Sequence, residues 1–176
     1  GRVRTAAAWK DHSGRMHIEL SGGCIGRIVQ NREGFLSGLS ALMGAKLTGP
    51  EQTSGPGGTS LLFREEEPYR ISVGIGVKTR EGEAASGDTV SWMTTEDGTA
   101  CMVLSDGMGS GARAAQESAA VVRMTERFLK AGIDAVDAVR TIGPALKLRT
   151  QGNAFATLDV CTVDLFSGVA QSVKCG

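Results

Sequence analysis

The stretch Val103-Leu104-Ser105-Asp106-Gly107-Met108-Gly109-Ser110-Gly111-Ala112-Arg113 constrains this chain more than any other. A short apolar run ends in an acid, glycine takes three of the next five positions, and a helix-forming segment follows. A carboxylate at the end of a strand, with open backbone beside it, suits a hard cation or a phosphate. Three readings compete for this corner. Gly107, Gly109 and Ala112 fit the G-x-G-x-x-G/A dinucleotide fingerprint, and the strand before and helix after supply its context. That fingerprint also needs a second parallel strand ending in an acid about 20 residues on, whereas the helical pattern still runs at Glu126. An acid directly before the first glycine would also face the pyrophosphate. The second reading is a tight strand-to-helix turn that uses glycine for its backbone angles. The third is a metal centre, and a second acid lifts it above the other two.

That second acid is Asp88. The runs Thr89 to Thr94 and Thr99 to Ser105 read as a strand pair turned at Glu96-Asp97-Gly98. A two-residue Asp-Gly loop would pair Glu96 with Thr99 and set Asp88 across from Gly107, sending the two acids to opposite faces. A three-residue loop with Gly98 left-handed, as in a G1 bulge, pairs Thr95 with Thr99 and sets Asp88 directly across from Asp106. Directly opposed Cβ atoms lie about 4.5–5.5 Å apart, and like charges there repel. Such a pair costs stability unless a cation joins it. We take the second register.

The rest of the composition narrows the field. The 176 residues allow one ordinary domain, or a small domain plus part of another. Lys+Arg and Asp+Glu balance at 19 each, so no electrostatic footprint calls for nucleic acid or an acidic membrane surface. A hydrophobic fraction of 41% and a mean hydropathy of -0.05 describe a soluble, core-forming chain. No apolar run approaches the roughly 20 residues of a membrane span, and no signal peptide is evident. Cys24, Cys101, Cys161 and Cys175 are widely spaced with no C-x-x-C pair, as expected of free thiols in a reducing compartment. His12 and His17 flank the Ser13-Gly14 turn and read as surface residues, not zinc ligands.

Along the chain, Val3 to Trp9 and Met16 to Leu20 form a predicted hairpin, and a helix is predicted within Ile25 to Met43, its middle uncertain at Gly34. Gly44 to Ser60 reads as a loop or linker. Tyr69, Ile71, Val73, Ile75 and Val77 alternate with Arg70, Ser72, Gly74 and Gly76, the pattern of a half-buried strand. Ala112 to Lys130 is an amphipathic helix with Arg123, Glu126, Arg127 and Lys130 toward water. Asp134 caps a second helix whose stripe is Val136, Val139, Ile142 and Leu146, and Gly143-Pro144 should kink or split it. Phe155 to Val163 and Val169 to Lys174 close with a final hairpin. Helices gathered in one pair cannot bury both faces of the resulting sheet.

Ser86-Gly87-Asp88, the stretch Val103 to Gly111 with Ala114-Ala115 and Glu117-Ser118 behind it, Ala156-Thr157-Leu158-Asp159 and Val163 to Gly168 together closely resemble the metal-dependent (PPM, type 2C) serine/threonine protein phosphatases. Among these the resemblance is to the bacterial stage II sporulation protein E branch, and it runs from about Tyr69 to Gly176. It implies an α+β fold, the PPM-type α-β-β-α sandwich of antiparallel sheets flanked by helix pairs. Residues 69–176 would be the N-terminal part of that domain, C-terminally truncated, and 1–68 a regulatory segment of hairpin, helix and linker. It further implies two Mn2+ or Mg2+ ions in the complete domain, with Asp88 and Asp106 as ligand candidates and Gly107 offering its carbonyl. The remaining acidic ligands lie in a later portion of such domains; Asp159 and Asp164 match a strand and turn before them and are assigned no role. Two such cations roughly 3.5–4 Å apart activate a bridging water, so no side-chain nucleophile is needed. Arg113 at the helix start, or Lys78 and Arg80 in the preceding loop, could steer a phosphoryl group, but each reads as an ordinary exposed charge and none is assigned a catalytic role. The expected substrate is a phosphoserine or phosphothreonine of a regulatory protein, by resemblance an anti-sigma-factor antagonist in sporulation sigma-factor control. The expected setting is cytoplasmic, in a free or membrane-anchored protein. The competing expectation is a catalytically incomplete regulatory or homodimerisation module.

Overall fold

Val3–Lys10 (β1) and Met16–Gly22 (β2) pair antiparallel, with Ala8 opposite Ile18 and Trp9 opposite His17. Asp11 closes the turn, its Oδ1 accepting from the amides of Ser13 and Arg15. The computed structural model describes residues 2–11, 13–55, 58–79, 81–83, 85–107, 109, 111–148 and 156–176. His12, Arg80, Met108, Ser110 and Phe155, all named above, lie outside the described residues. The chain divides into two compact units, Gly1–Glu67 and Pro68–Gly176.

In the first unit Ile25–Gln30 (α1) and Arg32–Met43 (α2) lead to Leu47–Gly55 (β3) and Gly58–Glu65 (β4), giving a four-stranded antiparallel sheet in the order β1-β2-β4-β3. The predicted single helix breaks at Asn31, whose φ of -118° and ψ of 48° are not helical, and Gly34 sits inside α2. The linker expected over Gly44 to Ser60 is instead mostly β3 and the start of β4. Its sequence is polar because β3 is an edge strand, where Pro50 is tolerated beside a register shift between Thr48 and Glu51. The apolar half of the pairing comes from β4. Leu61 and Phe63 are fully buried with Ile18, Leu20, Ile28 and Leu47, and the Phe35 ring lies 5.7 Å from that of Phe63. Side chains of this size each contribute about 1.5–3 kcal/mol on burial.

The second unit is a sheet of Thr89–Thr94 (β5), Thr99–Ser105 (β6), Leu158–Asp164 (β7) and Ala170–Cys175 (β8), all antiparallel and in chain order. Ala112–Lys130 (α3) and Ala135–Leu148 (α4) pack on one face of it. Alternation sends Cys101, Val103, Leu158 and Val160 into a core with Val121, Val122, Leu129, Val139 and Ile142. The odd-even partners Val90, Trp92, Met102 and Leu104 fall on the other face, where Trp92 is 45% and Leu104 42% exposed. The helix pair thus buries one face only, as its topology requires. Asp134 caps α4 by accepting from the Val136 amide at 2.8 Å. The expected kink does not divide α4, which runs on through Pro144 with that ring exposed.

Tyr69 to Val77 is not a strand. A half-buried strand needs a neighbour for its amides and carbonyls as well as an apolar surface under alternate side chains. Tyr69 donates its amide to the Leu165 carbonyl at 3.1 Å, outside any ladder, and Ile75 and Val77 stay 50% and 64% exposed. Pattern alone cannot supply the partner. No helix among the described residues is long and apolar enough to cross a membrane.

Candidate metal centre

The β5–β6 turn decides where the acids stand. Thr95 donates its amide to the Thr99 carbonyl at 2.9 Å, Gly98 returns its amide to the Thr95 carbonyl at 3.0 Å, and Gly98 has φ of 70°. This is the three-residue loop. The ladder then runs from Thr94 opposite Ala100 to Thr89 opposite Ser105, so the next opposed pair is Asp88 and Asp106. Their carboxyls meet. A side-chain hydrogen bond to Asp88, then desolvation, then the charge of Asp88 hold the Asp106 carboxyl above the usual carboxylate range, while Lys174 works in the opposite direction.

Both acids are exposed on backbone that is fixed. Ser86 Oγ accepts from the Asp88 amide at 3.2 Å and donates to Asp88 Oδ2 at 3.3 Å. The Asp106 carbonyl accepts from the Thr157 amide at 3.0 Å, extending the β6–β7 pairing to the site. Gly107 donates its amide to Gly87 at 3.2 Å, and both glycines are buried. A Cβ on Gly107 would stand 2.5 Å from the Gly87 carbonyl and 2.8 Å from that of Ala114; one on Gly87 would stand 2.6 Å from the Gly109 carbonyl. The glycine corner is therefore a matter of close backbone approach, and side chains are excluded from it.

Beneath the acids, on the helix side of the sheet, lies a layer of hydroxyls that the helical periodicity did not reveal. Thr89 and Ser118 share a 2.6 Å hydrogen bond, and Thr125 donates to the Val121 carbonyl. Ser91 donates to Glu126, which is half-buried and not a water-facing residue as expected. Ser105 is fully buried, and its hydroxyl has no partner among the described residues. Ser118 and Thr125 stand seven apart on the face of α3 that also carries Val121 and Val122, and that spacing was the available signal. Asp159, left unassigned from sequence, holds Lys174 Nζ at 3.0 Å on the acid side of the sheet. Arg113 pairs with Glu117 and Lys78 borders a groove with Asp88 and Trp92.

Two carboxylates in contact, beside a backbone corner closed to side chains, match a hard divalent cation, which takes oxygen ligands and relieves like-charge repulsion. Among the described residues no group of three or more His, Cys, Asp or Glu side chains gathers in this way. The pair is a two-carboxylate element.

The α+β arrangement is shared with a solved structure, the PP2C phosphatase domain and a fragment of the regulatory domain of SpoIIE from Bacillus subtilis. The TM-score is 0.62 at 24% identity, over 99% of this chain and 57% of that one. The fold is thus that of the PP2C, or PPM-type, phosphatases. The chain matches the stage II sporulation protein E (SpoIIE) family over residues 96–176. It is 36% identical over 122 residues to stage II sporulation protein E of Bacillus subtilis (strain 168), and 32% identical over 108 residues to that of Priestia megaterium. Those stretches are 69% and 61% of this chain but only 15% and 18% of the relatives' length.

Proposed function

We propose that this chain carries the first part of a divalent-metal centre of a phosphoprotein phosphatase, acting on phosphoserine or phosphothreonine of a regulatory protein. The observation that carries the reading is the β5–β6 register, which sets Asp88 opposite Asp106 so that two carboxylates face each other and repel unless a cation joins them. Asp88, Asp106 and the Gly107 carbonyl would hold Mn2+ or Mg2+, two ions in the complete domain, and the metal would supply the Lewis acidity that readies a water for in-line attack on phosphorus. The protein's own work is positional. Ser86 orients Asp88, Thr157 fixes the backbone at Asp106, and the Gly87–Gly107 approach keeps side chains out of the corner. The family supports a substrate in sporulation control, such as an anti-sigma-factor antagonist. Residues 1–67 would then be a regulatory unit.

Titration calorimetry with Mn2+ tests the centre directly. Wild type should bind, and Asp106→Ala should weaken binding at least tenfold; equal binding by both proteins would end the reading. A second reading, a catalytically incomplete regulatory or dimerisation module, is favoured by one observation: only two carboxylates converge among the described residues. Release of phosphate from a phosphoserine peptide in the presence of Mn2+ separates the two.

A further inference from the structure

Asp106 belongs to one face of the second unit's sheet, and the register shows what shares it. Leu104, two residues before Asp106, is opposite Asp159, and Asp159 is opposite Lys174. These pairs put Asp88, Asp106, Asp159 and Lys174 on the face away from the helices. Neighbouring strands lie about 4.8 Å apart and residues two apart on one strand about 6.7 Å, so the backbone of Lys174 is about 12 Å from that of Asp106. A four-carbon stem and a phosphoryl group together span that gap. The ammonium is also aimed. Asp159, 33% exposed, holds the ammonium of the 69% exposed Lys174 side chain at 3.0 Å on the face that carries Asp88 and Asp106.

We propose that Lys174, positioned by Asp159, contacts a phosphoryl oxygen of the substrate bound at the Asp88–Asp106 centre. The proposal rests on the phosphatase reading of that centre. A phosphate monoester bound beside a divalent ion directs at least one charged oxygen away from the metal, and a preorganised ammonium there forms a charge-assisted hydrogen bond. Of the other basic residues described near the corner, Arg113 is turned along its own helix to Glu117, and Lys78 lies on a segment outside any ladder. The plain alternative is a surface cross-strand ion pair, weakly stabilising and without ligand.

The experiment measures uptake of inorganic phosphate by the whole chain saturated with Mn2+, for wild type, Lys174→Met, Lys174→Arg and Asp159→Asn, alongside Mn2+ affinity and thermal melting. Expected are a loss of about tenfold in phosphate affinity for Lys174→Met, a smaller loss for Asp159→Asn and recovery in Lys174→Arg, with Mn2+ affinity changed less than twofold. A surface ion pair would move melting alone. Phosphate affinity equal to wild type in Lys174→Met would overturn the role of Lys174 and leave the metal centre standing. Mn2+-loaded wild type that takes up no phosphate would overturn both.

Discussion

The 2.9 Å hydrogen bond from the Thr95 amide to the Thr99 carbonyl sets the register that brings Asp88 and Asp106 face to face. A loop one residue shorter would slip the pairing and turn the two acids to opposite sides of the sheet. The first consequence concerns the metal-free protein. Asp88→Asn removes one charge of a repelling cross-strand pair while keeping a hydrogen-bonding oxygen, so it should raise metal-free stability by a few tenths of a kcal/mol to about 1 kcal/mol. Urea titration in chelator reads this. The same variant should lose Mn2+ affinity, and a variant that loses stability in chelator would contradict the pairing.

At a pH below the raised value of Asp106, metal uptake should release a proton. The Asp106 carboxyl is held above the ordinary carboxylate range by Asp88, and a ligating carboxylate must be deprotonated. Mn2+ affinity therefore falls as pH drops through the raised value, sooner than an ordinary aspartate would allow. Calorimetry in two buffers of different ionisation enthalpy measures the released protons directly, and identical apparent enthalpies at the lower pH would refute it.

Gly107→Ala tests the closed corner. Its Cβ would meet backbone carbonyls at 2.5 and 2.8 Å, which cannot rotate away as a flexible side chain could. Forced overpacking of this kind costs about 1–3 kcal/mol. Thermal unfolding should show the loss, and an unchanged midpoint would mean the corner is looser than described.

Ser105→Ala should behave oppositely. The hydroxyl is fully buried without a partner among the described residues, and removing a desolvated, unpaired polar group is neutral or stabilising. Ser118→Ala removes a hydroxyl that is bonded to Thr89 at 2.6 Å and should cost about 1 kcal/mol or more. The comparison of the two midpoints is the measurement.

In the first unit, acid should loosen the hairpin through Asp11. Burial raises its pKa, but hydrogen bonds from His17 and from the amides of Arg15 and Ser13 prevail and lower it from 3.8 to about 2. A folded-state value below the unfolded one gives stability that is complete above about pH 4 and lost as pH falls through about 2. For a partly solvated pair the amount is on the order of 1 kcal/mol. Asp11→Asn should remove this component of the acid transition. Fluorescence of Trp9, which stacks on His17 at 5.5 Å, follows it locally.

Much of this was open to reading in the chain itself. Thr89 to Thr94, Thr99 to Ser105 and Ala112 to Lys130 stand where a strand pair, a turn triplet and an amphipathic helix pattern put them, because each signal is local: nearby residues fix strand faces and helix stripes. The Asp88–Asp106 opposition was legible for the same reason, as one loop length sets it. What needed the tertiary structure was every feature whose cause lies far along the chain. Tyr69 to Val77 has a strand's sequence but no ladder, and β3 has a linker's sequence but a ladder, since pairing depends on the partner's backbone and not on the strand's own side chains. The hydroxyl layer under Ser105 and the carbonyls pressed against Gly107 likewise exist only once separate elements meet.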